Sequence, residues 1–331
     1  MCKYEAVLIS DVHYNINTLE IADRAMRMAI AHANELGVPL IVAGDLHDTK
    51  ANIRGECIKA MIATFNLCHE APYVLRGNHD AINEHSEEHS LEFLRSHRVT
   101  IIDAPLQLKS RNVYMLPYYH DAGALRQYIK TIPKGSTVIM HQGLSTANMG
   151  DYIQDKSALS IGDVAGLRVI SGHYHTRQDI VLPKQGLWSF IGNPYTLTWG
   201  EANDPAKGFQ LAQKNWFLEF IPTNLRKHVI ITIDQHLGHE QSAEIALDDL
   251  VLVKVQGNKE FLVRHTKESV AKAFGIVQPF RFELIESVSQ QTVEIASASY
   301  SDILDETINA QDISFEQKER LKTLWRTMEQ Q

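Results

Sequence analysis

The chain has 331 residues, a formal net charge of −8 and 44% hydrophobic residues. This composition supplies enough apolar side chains for a large buried core, and the length suggests one large domain with a smaller one attached. The acidic charge argues against a broadly basic surface for nucleic acid, although bound divalent cations would change the field where a phosphate sits.

The amino-terminal apolar segment, residues 6–9, is too short for a secretory signal, and no later segment is long enough to cross a bilayer. We therefore expect a cytoplasmic protein. The three cysteines, Cys2, Cys57 and Cys68, form no close pair. We expect reduced thiols rather than a disulfide framework or a zinc knuckle.

Short apolar segments alternate with longer helical patterns through the first half of the chain, which is typical of a layered α/β sheet. The predicted strands are residues 6–9, 40–43, 72–75, 137–140 and 168–171. A first helix is predicted to start at Asn17, with Glu20 as its capping partner, and to end near Gly37. Two further helices are predicted over residues 53–69 and 87–97.

Near residue 222 the pattern changes to a shorter alternation of strands and helices, with predicted strands at 229–233, 250–255 and 280–284. We predict a large domain over 1–222, a small α+β domain over 223–286, and a linker with carboxyl-terminal helices over 287–331. The last helix, 314–328, carries one apolar stripe. This stripe either packs on its own domain or docks a partner protein.

Side chains that bind metals follow five of the predicted strands. They are Asp11, His13, Asp45, Asn78, His141, His173 and His175. Side chains two residues apart share one side of an extended strand, so Asp11 with His13, and His173 with His175, can converge on metals. Carboxylate, amide and imidazole ligands without thiolate favour manganese, with iron, zinc or magnesium as alternatives. Asp45 is suited to bridge two cations.

Two cations about 3.5–4 Å apart clamp a phosphate and lower the pKa of a water molecule that attacks it. This chemistry implies hydrolysis without a covalent intermediate. His79, next to Asn78, is placed to protonate the leaving oxygen or to stabilise the transferred phosphoryl group, and Asp48 is the candidate to orient it. We therefore predict a metal-dependent phosphoesterase with His79 and Asp48 as catalytic residues.

The order of these segments resembles the calcineurin-like metallophosphoesterase superfamily. The resemblance implies a four-layer αββα sandwich and His79 as the catalytic histidine. It also implies that one metal binds Asp11, His13, Asp45 and His175. The other metal would bind Asp45, Asn78, His141 and His173.

Within that superfamily, residues 44–48, 77–80, 191–199 and 207–209 look like SbcD-type DNA nuclease subunits, and phage recombination endonuclease subunits look closest. This resemblance implies a manganese-dependent DNA exonuclease and endonuclease of bacterial recombination and repair, with a nuclease domain over 1–222 and a capping domain over 223–286. It also implies that the carboxyl-terminal helix docks an SbcC-like coiled-coil ATPase. Helices 53–69 and 87–97 are candidates for a homodimer contact.

Some residues leave alternatives open. His47 stands where these nucleases commonly carry an aromatic residue, so it is either an extra phosphate or base contact or a space-filling histidine. His85 and His89 are predicted on a polar helical face without chemistry. Competing functions are a small-molecule or cyclic-nucleotide phosphodiesterase, and an interaction protein whose metal site is only structural. A protein phosphatase is disfavoured because Thr49 and Lys50 follow Asp48 where those enzymes have an arginine-bearing turn.

Overall fold

The computed structural model describes residues 3–50, 52–83, 88–108, 112–147, 155, 157–242, 244–287 and 318. The predicted linker and carboxyl-terminal helices, 287–331, lie outside these residues except for Ser287 and Lys318. Within the described residues the chain forms two six-stranded sheets and one four-stranded sheet. No helix among them is long and apolar enough to cross a membrane.

The described chain contains sixteen strands. In chain order they are β1 (Tyr4–Ile9), β2 (Leu40–Val42), β3 (Tyr73–Leu75), β4 (Thr100–Ile102), β5 (Leu106–Leu108), β6 (Val113–Leu116), β7 (Thr137–Met140), β8 (Arg168–Ser171), β9 (Gln178–Leu182), β10 (Gly186–Phe190), β11 (Gly208–Gln213), β12 (Leu218–Pro222), β13 (His228–Asp234), β14 (Gly238–Gln241), β15 (Leu250–Gly257) and β16 (Arg281–Glu286). The helices are α1 (Leu19–Leu36), α2 (Gly55–Phe65), α3 (Ala122–Ile129), α4 (Lys259–Arg264) and α5 (Lys267–Phe274).

The first sheet has the strand order β12-β11-β1-β2-β3-β4, with β1 to β4 parallel. Both of its faces are buried. In β1, Val7 packs towards helices α1 and α2, whereas Ala6 and Leu8 pack towards the second sheet. Strands covered on both faces are continuously apolar, which explains the short hydrophobic segments in the sequence.

The second sheet has the order β5-β6-β7-β8-β10-β9. Its inner face, including Met115, Ile139 and Ile170, packs on the first sheet, and α3 covers part of its outer face through Leu125 and Ile129. The layers therefore run helix, sheet, sheet, helix. The predicted αββα sandwich is confirmed.

The third sheet has the order β14-β13-β15-β16 and lies entirely within residues 228–286. Its apolar core joins Ile231, Val253 and Val255 to Val270 of α5. The predicted alternation of strands and helices is wrong in its order, because β14 follows β13 directly and α4 and α5 both lie between β15 and β16. The assignment of residues 223–286 as a separate capping domain stays a prediction.

The predicted helix over residues 87–97 is wrong in its first half, and only a 3-10 helix at Glu92–His97 forms. Before it, Ala81 and His89 form an isolated antiparallel bridge, in which Ile82 N donates to Glu88 O at 3.0 Å and Ser90 N donates to Asp80 O at 3.0 Å. His89 is consequently buried, with Nε2 lying 3.3 Å from Asp103 Oδ2. Its predicted place on a polar helical face is wrong, and His85 lies outside the described residues.

Helix α1 ends as expected at Gly37, whose φ of 62° is a left-handed conformation that favours glycine. Its start differs from the prediction. Asn15 Oδ1 accepts hydrogen bonds from the main-chain N–H groups of Asn17 and Thr18, so Asn15 forms the turn that leads into the helix. The capping pair of Asn17 and Glu20 does not form.

Candidate metal centre

The predicted metal ligands follow parallel strands whose carboxyl ends meet at one edge of the sandwich. Strands β1, β2 and β3 are neighbours in the first sheet, and β7 and β8 are neighbours in the second. Parallel neighbours deliver their following loops to the same place. The structure therefore brings all seven predicted ligands together, from segments as far apart in sequence as Asp11 and His175.

One group of ligand atoms comes from Asp11, His13 and His175. The Nε2 atoms of His13 and His175 lie 3.2 Å apart, and His175 Nε2 lies 3.9 Å from Asp11 Oδ1. Asp45 Oδ2 reaches this group at 3.9 Å from His13 Nε2. These atoms face one another closely enough to share a cation.

A second group comes from Asp45, Asn78, His141 and His173. His141 Nε2 lies 3.2 Å from Asp45 Oδ2 and 3.1 Å from Asn78 Oδ1, and His173 Nδ1 lies 2.8 Å from the same amide oxygen. Asp45 Oδ2 thus belongs to both groups, as a bridging carboxylate must. The grouping is the one that the resemblance implied, and the role of each residue as a ligand stays a prediction.

The loops that carry the predicted ligands have an unusual backbone conformation. Asp11, His13, Asp45 and His173 have φ values of 53°, 50°, 51° and 82°. Non-glycine residues in this left-handed region cost about 1–2 kcal/mol each, so four together indicate loops constrained by their function. A Cβ on Gly77 would collide with Asp45, and a Cβ on Gly44 or Gly172 would collide with the His141 ring.

Asp80 holds two of these loops in position. Its fully buried carboxylate accepts main-chain hydrogen bonds from Gly77 at 2.7 Å and from Asp45 at 3.0 Å, and further ones from the next two residues, Leu46 at 3.1 Å and His47 at 3.3 Å. Because this carboxylate is buried, water cannot replace it as the acceptor for these four N–H groups. Asp80 lies within residues 77–80, but the sequence predicts no role for it.

The predicted histidine ligands each have their outer ring nitrogen beside an oxygen atom. This pattern is common for metal-binding histidines, because the oxygen fixes which nitrogen carries hydrogen. Three of these nitrogens are hydrogen-bonded: His141 Nδ1 with Ala43 O at 2.7 Å, His175 Nδ1 with Glu201 Oε1 at 3.1 Å, and His173 Nε2 with Asp155 Oδ2 at 3.3 Å. His13 Nδ1 lies 3.3 Å from Asp48 Oδ1 without forming a hydrogen bond. Sequence reasoning missed Glu201 and Asp155, since neither lies in a ligand-bearing segment.

The electrostatics match a site built for positive charge. Burial alone would raise the pKa of Asp45, but His141, His79 and His13 hold it well below its usual range. Burial alone would lower the pKa of His141, but the Asp45 charge raises it to about 9. The buried carboxylate therefore requires a cation, either an imidazolium or a metal ion.

His79 lies at the open side of the centre, with 36% of its side chain exposed. Its main-chain N–H donates to Asp45 Oδ1 at 2.8 Å, and its ring Nδ1 donates to the main-chain oxygen of Asp48 at 2.7 Å. The Asp48 carboxylate is 4.0 Å from His79 Nδ1 but 3.3 Å from His13 Nδ1. The backbone of Asp48 thus orients His79, while its carboxylate lies nearer His13.

The two alternatives for His47 are distinguished by burial. Its side chain is fully buried, and Nε2 contacts Ser90 Oγ and lies 3.8 Å from Asp80 Oδ1. A side chain without solvent access cannot reach a phosphate or base of a bound substrate. His47 therefore fills space behind the Asp45 loop.

Comparison with known proteins identifies the family. Residues 5–177 match the family model described as calcineurin-like phosphoesterase. No curated protein matches the chain. Among solved structures, a dimetal phosphatase from Danio rerio aligns with a TM-score of 0.41 and 11% identity, covering 64% of this chain and 93% of that one.

The family match spans more than half of the chain and contains all seven predicted ligands together with His79. The chain therefore belongs to the calcineurin-like phosphoesterase family of metal-dependent hydrolases.

Proposed function

We propose that this phosphoesterase is a manganese-dependent DNA exonuclease and endonuclease, the nuclease subunit of an SbcCD-like recombination and repair complex. One observation carries the proposal. Residues 191–199 and 207–209, whose sequence resembles SbcD-type nuclease subunits, lie against the loops that carry the predicted ligands. The resemblance thus concerns residues that shape the reaction site, rather than a distant surface.

The contacts of this segment are specific. The Tyr195 hydroxyl donates to the main-chain oxygen of Val12, the residue between Asp11 and His13. Lys207 Nζ donates to the main-chain oxygen of His175 at 2.9 Å. The segment therefore supports both ends of the group formed by Asp11, His13 and His175.

The exposure of the site is compatible with a large substrate. Asp11, Asp45 and His141 are buried, whereas 36% of the His79 side chain, 39% of Asp48 and 30% of His175 are exposed. Protein thus encloses the deep side of the centre, and the opposite side faces solvent. A phosphodiester within a long polymer can approach such a surface.

Two divalent cations bound here would polarise the phosphate and acidify an attacking water. The protein contributes the proton for the leaving oxygen. The Asp48 carbonyl can only accept a hydrogen bond, so His79 Nδ1 carries hydrogen in both charge states. A protonated His79 can then donate from Nε2 to the leaving oxygen of the DNA strand.

We further propose that an SbcC-like ATPase supplies much of the DNA affinity. The net charge of −8 argues against a broadly basic surface for phosphate contacts. The predicted helix over 314–328 would dock this partner, and a homodimer would complete the nuclease unit. Both interactions are predictions, and the helix lies outside the described residues apart from Lys318.

The test is hydrolysis by the purified chain with Mn²⁺, using end-labelled linear DNA, bis(p-nitrophenyl) phosphate and a cyclic nucleotide in parallel, with DNA and protein concentrated enough that cleavage does not depend on affinity from the ATPase. We expect nucleotide release from DNA that falls about 10²–10⁴-fold in the His79→Ala variant. Hydrolysis of the small diesters without DNA cleavage would overturn the nuclease proposal and favour a small-molecule or cyclic-nucleotide phosphodiesterase. A lack of hydrolysis of any diester would contradict phosphodiesterase activity altogether.

A further inference from the structure

The carboxylate of Glu201 lies behind the metal centre and is held on several sides. Glu201 is 8% exposed and ends the 3-10 helix Trp199–Glu201. Its Oε2 accepts hydrogen bonds from Asn193 Nδ2 at 2.8 Å and from Leu197 N at 3.1 Å. Lys207 Nζ, itself nearly buried, lies 3.2 Å from the same oxygen.

These contacts leave Oε1 directed at His175, whose Nδ1 lies 3.1 Å away. Lys207 strengthens the arrangement from a second direction, because its Nζ also bonds the main-chain oxygen of His175 at 2.9 Å and Asp204 Oδ2 at 2.7 Å. Side chain and backbone of His175 are thus tied to one buried ion-pair network. An ionised carboxylate accepts only, so Nδ1 of His175 must carry the hydrogen and Nε2 must face Asp11 and His13.

The other predicted ligands have different supports. His141 bonds a main-chain oxygen, and His173 faces Asp155, whose Oδ1 accepts hydrogen bonds from the main chain and hydroxyl of Ser157 rather than from a cation. Among the described residues, Glu201, which Lys207 anchors, therefore supports only the group of Asp11, His13 and His175. The two metal sites are supported unequally.

We propose that Glu201 is a positioning residue that acts through His175 and sets the affinity of the metal site formed by Asp11, His13 and His175. It fixes the hydrogen on Nδ1, aims Nε2 at the cation and increases the basicity of the ring. The inference concerns cation binding alone and does not depend on DNA being the substrate.

The test is a titration of the metal-free protein with Mn²⁺. Calorimetry and electron paramagnetic resonance monitor the binding. Glu201→Gln keeps the size of the side chain but removes its charge. We expect one Mn²⁺ to bind about 10–100-fold more weakly, the range for losing such a support, while the other binds as in the wild type. The spin-coupled signal of a Mn²⁺ pair should then require correspondingly higher Mn²⁺ concentrations.

Single-site backgrounds assign the effect. In His173→Ala, which retains the Asp11, His13 and His175 group, Glu201→Gln should still weaken binding about 10–100-fold. In the His175→Ala background, Glu201→Gln should not weaken Mn²⁺ binding further. The matched control Asp155→Asn should show the reverse dependence, with its effect present in His175→Ala and absent in His173→Ala.

A purely structural role gives a different result. Glu201→Gln would then lower the melting temperature of the metal-free protein and weaken both sites alike, which would overturn the proposal. Unchanged Mn²⁺ affinity in the His173→Ala background would also overturn it. Loss of DNA cleavage plays no part in the readout, so failure of the nuclease proposal would leave this result intact.

Discussion

Asp80 and Asp234 both accept main-chain hydrogen bonds, but Asp80 is buried and Asp234 lies at the surface. Asp80, fully buried beside the metal centre, accepts four main-chain hydrogen bonds, including those of Gly77 and Asp45. Asp234, in the surface turn between β13 and β14, accepts two, from His236 at 2.7 Å and Leu237 at 2.9 Å. Water can replace Asp234 but cannot reach the partners of Asp80.

The difference shows how the fold sustains a strained site. The loops around the metal centre keep left-handed conformations at residues such as Asp45, whose φ is 51°. Such conformations persist when surrounding contacts over-determine them. The turn of the third sheet has Gly238, with φ of 85°, at its left-handed position. Glycine adopts this conformation without strain, so no surrounding contacts are needed to hold it.

The largest effect is expected from Asp80→Asn. The amide nitrogen would replace one carboxylate oxygen and face main-chain donors, leaving two buried N–H groups without acceptors. At about 1–3 kcal/mol each, the loss of unfolding free energy should be about 2–6 kcal/mol, with Mn²⁺ binding abolished. Chemical denaturation and Mn²⁺ titration measure both. A variant as stable as the wild type would show that Asp80 does not hold the loops.

A large effect of another kind is expected at the open side of the centre. His79→Ala should reduce kcat by about 10²–10⁴-fold, the usual contribution of a general acid, because the leaving oxygen loses its proton donor. Its main-chain bond to Asp45 remains, so melting temperature and Mn²⁺ affinity should not change. Activity close to that of the wild type would contradict the catalytic role of His79.

The smallest effect is expected from Asp234→Asn. The side chain keeps one acceptor oxygen, and water can serve the main-chain donors, so the melting temperature should change by about 2 °C or less. Mn²⁺ affinity and hydrolysis should match the wild type. If Asp234→Asn instead lowers stability as much as Asp80→Asn does, burial does not explain the difference between the two aspartates.

The convergence of the seven predicted ligands could be predicted from the sequence because each of them directly follows a parallel strand. The convergence of Asp45 and His141 then follows from sheet geometry, although almost one hundred residues separate them. The left-handed backbone at Asp11, His13, Asp45 and His173 could not be predicted, since it depends on contacts such as those of Asp80.

Other features depend on contacts that no local pattern displays. Glu201 and His175 meet only because the segment after β10 returns across the metal loops. Residues 88–91 of the helix predicted over 87–97 are not helical, because the isolated bridge between Ala81 and His89 outweighed a helical sequence pattern. Position in the fold, rather than local propensity, decided both.

The central claim is that seven residues hold two cations bridged by Asp45. Anomalous diffraction from crystals grown with Mn²⁺ tests it most directly. We predict two peaks about 3.5–4 Å apart, one contacted by Asp11, His13 and His175, the other by Asn78, His141 and His173, with Asp45 between them. A single peak, or peaks away from these side chains, would contradict the two-metal centre.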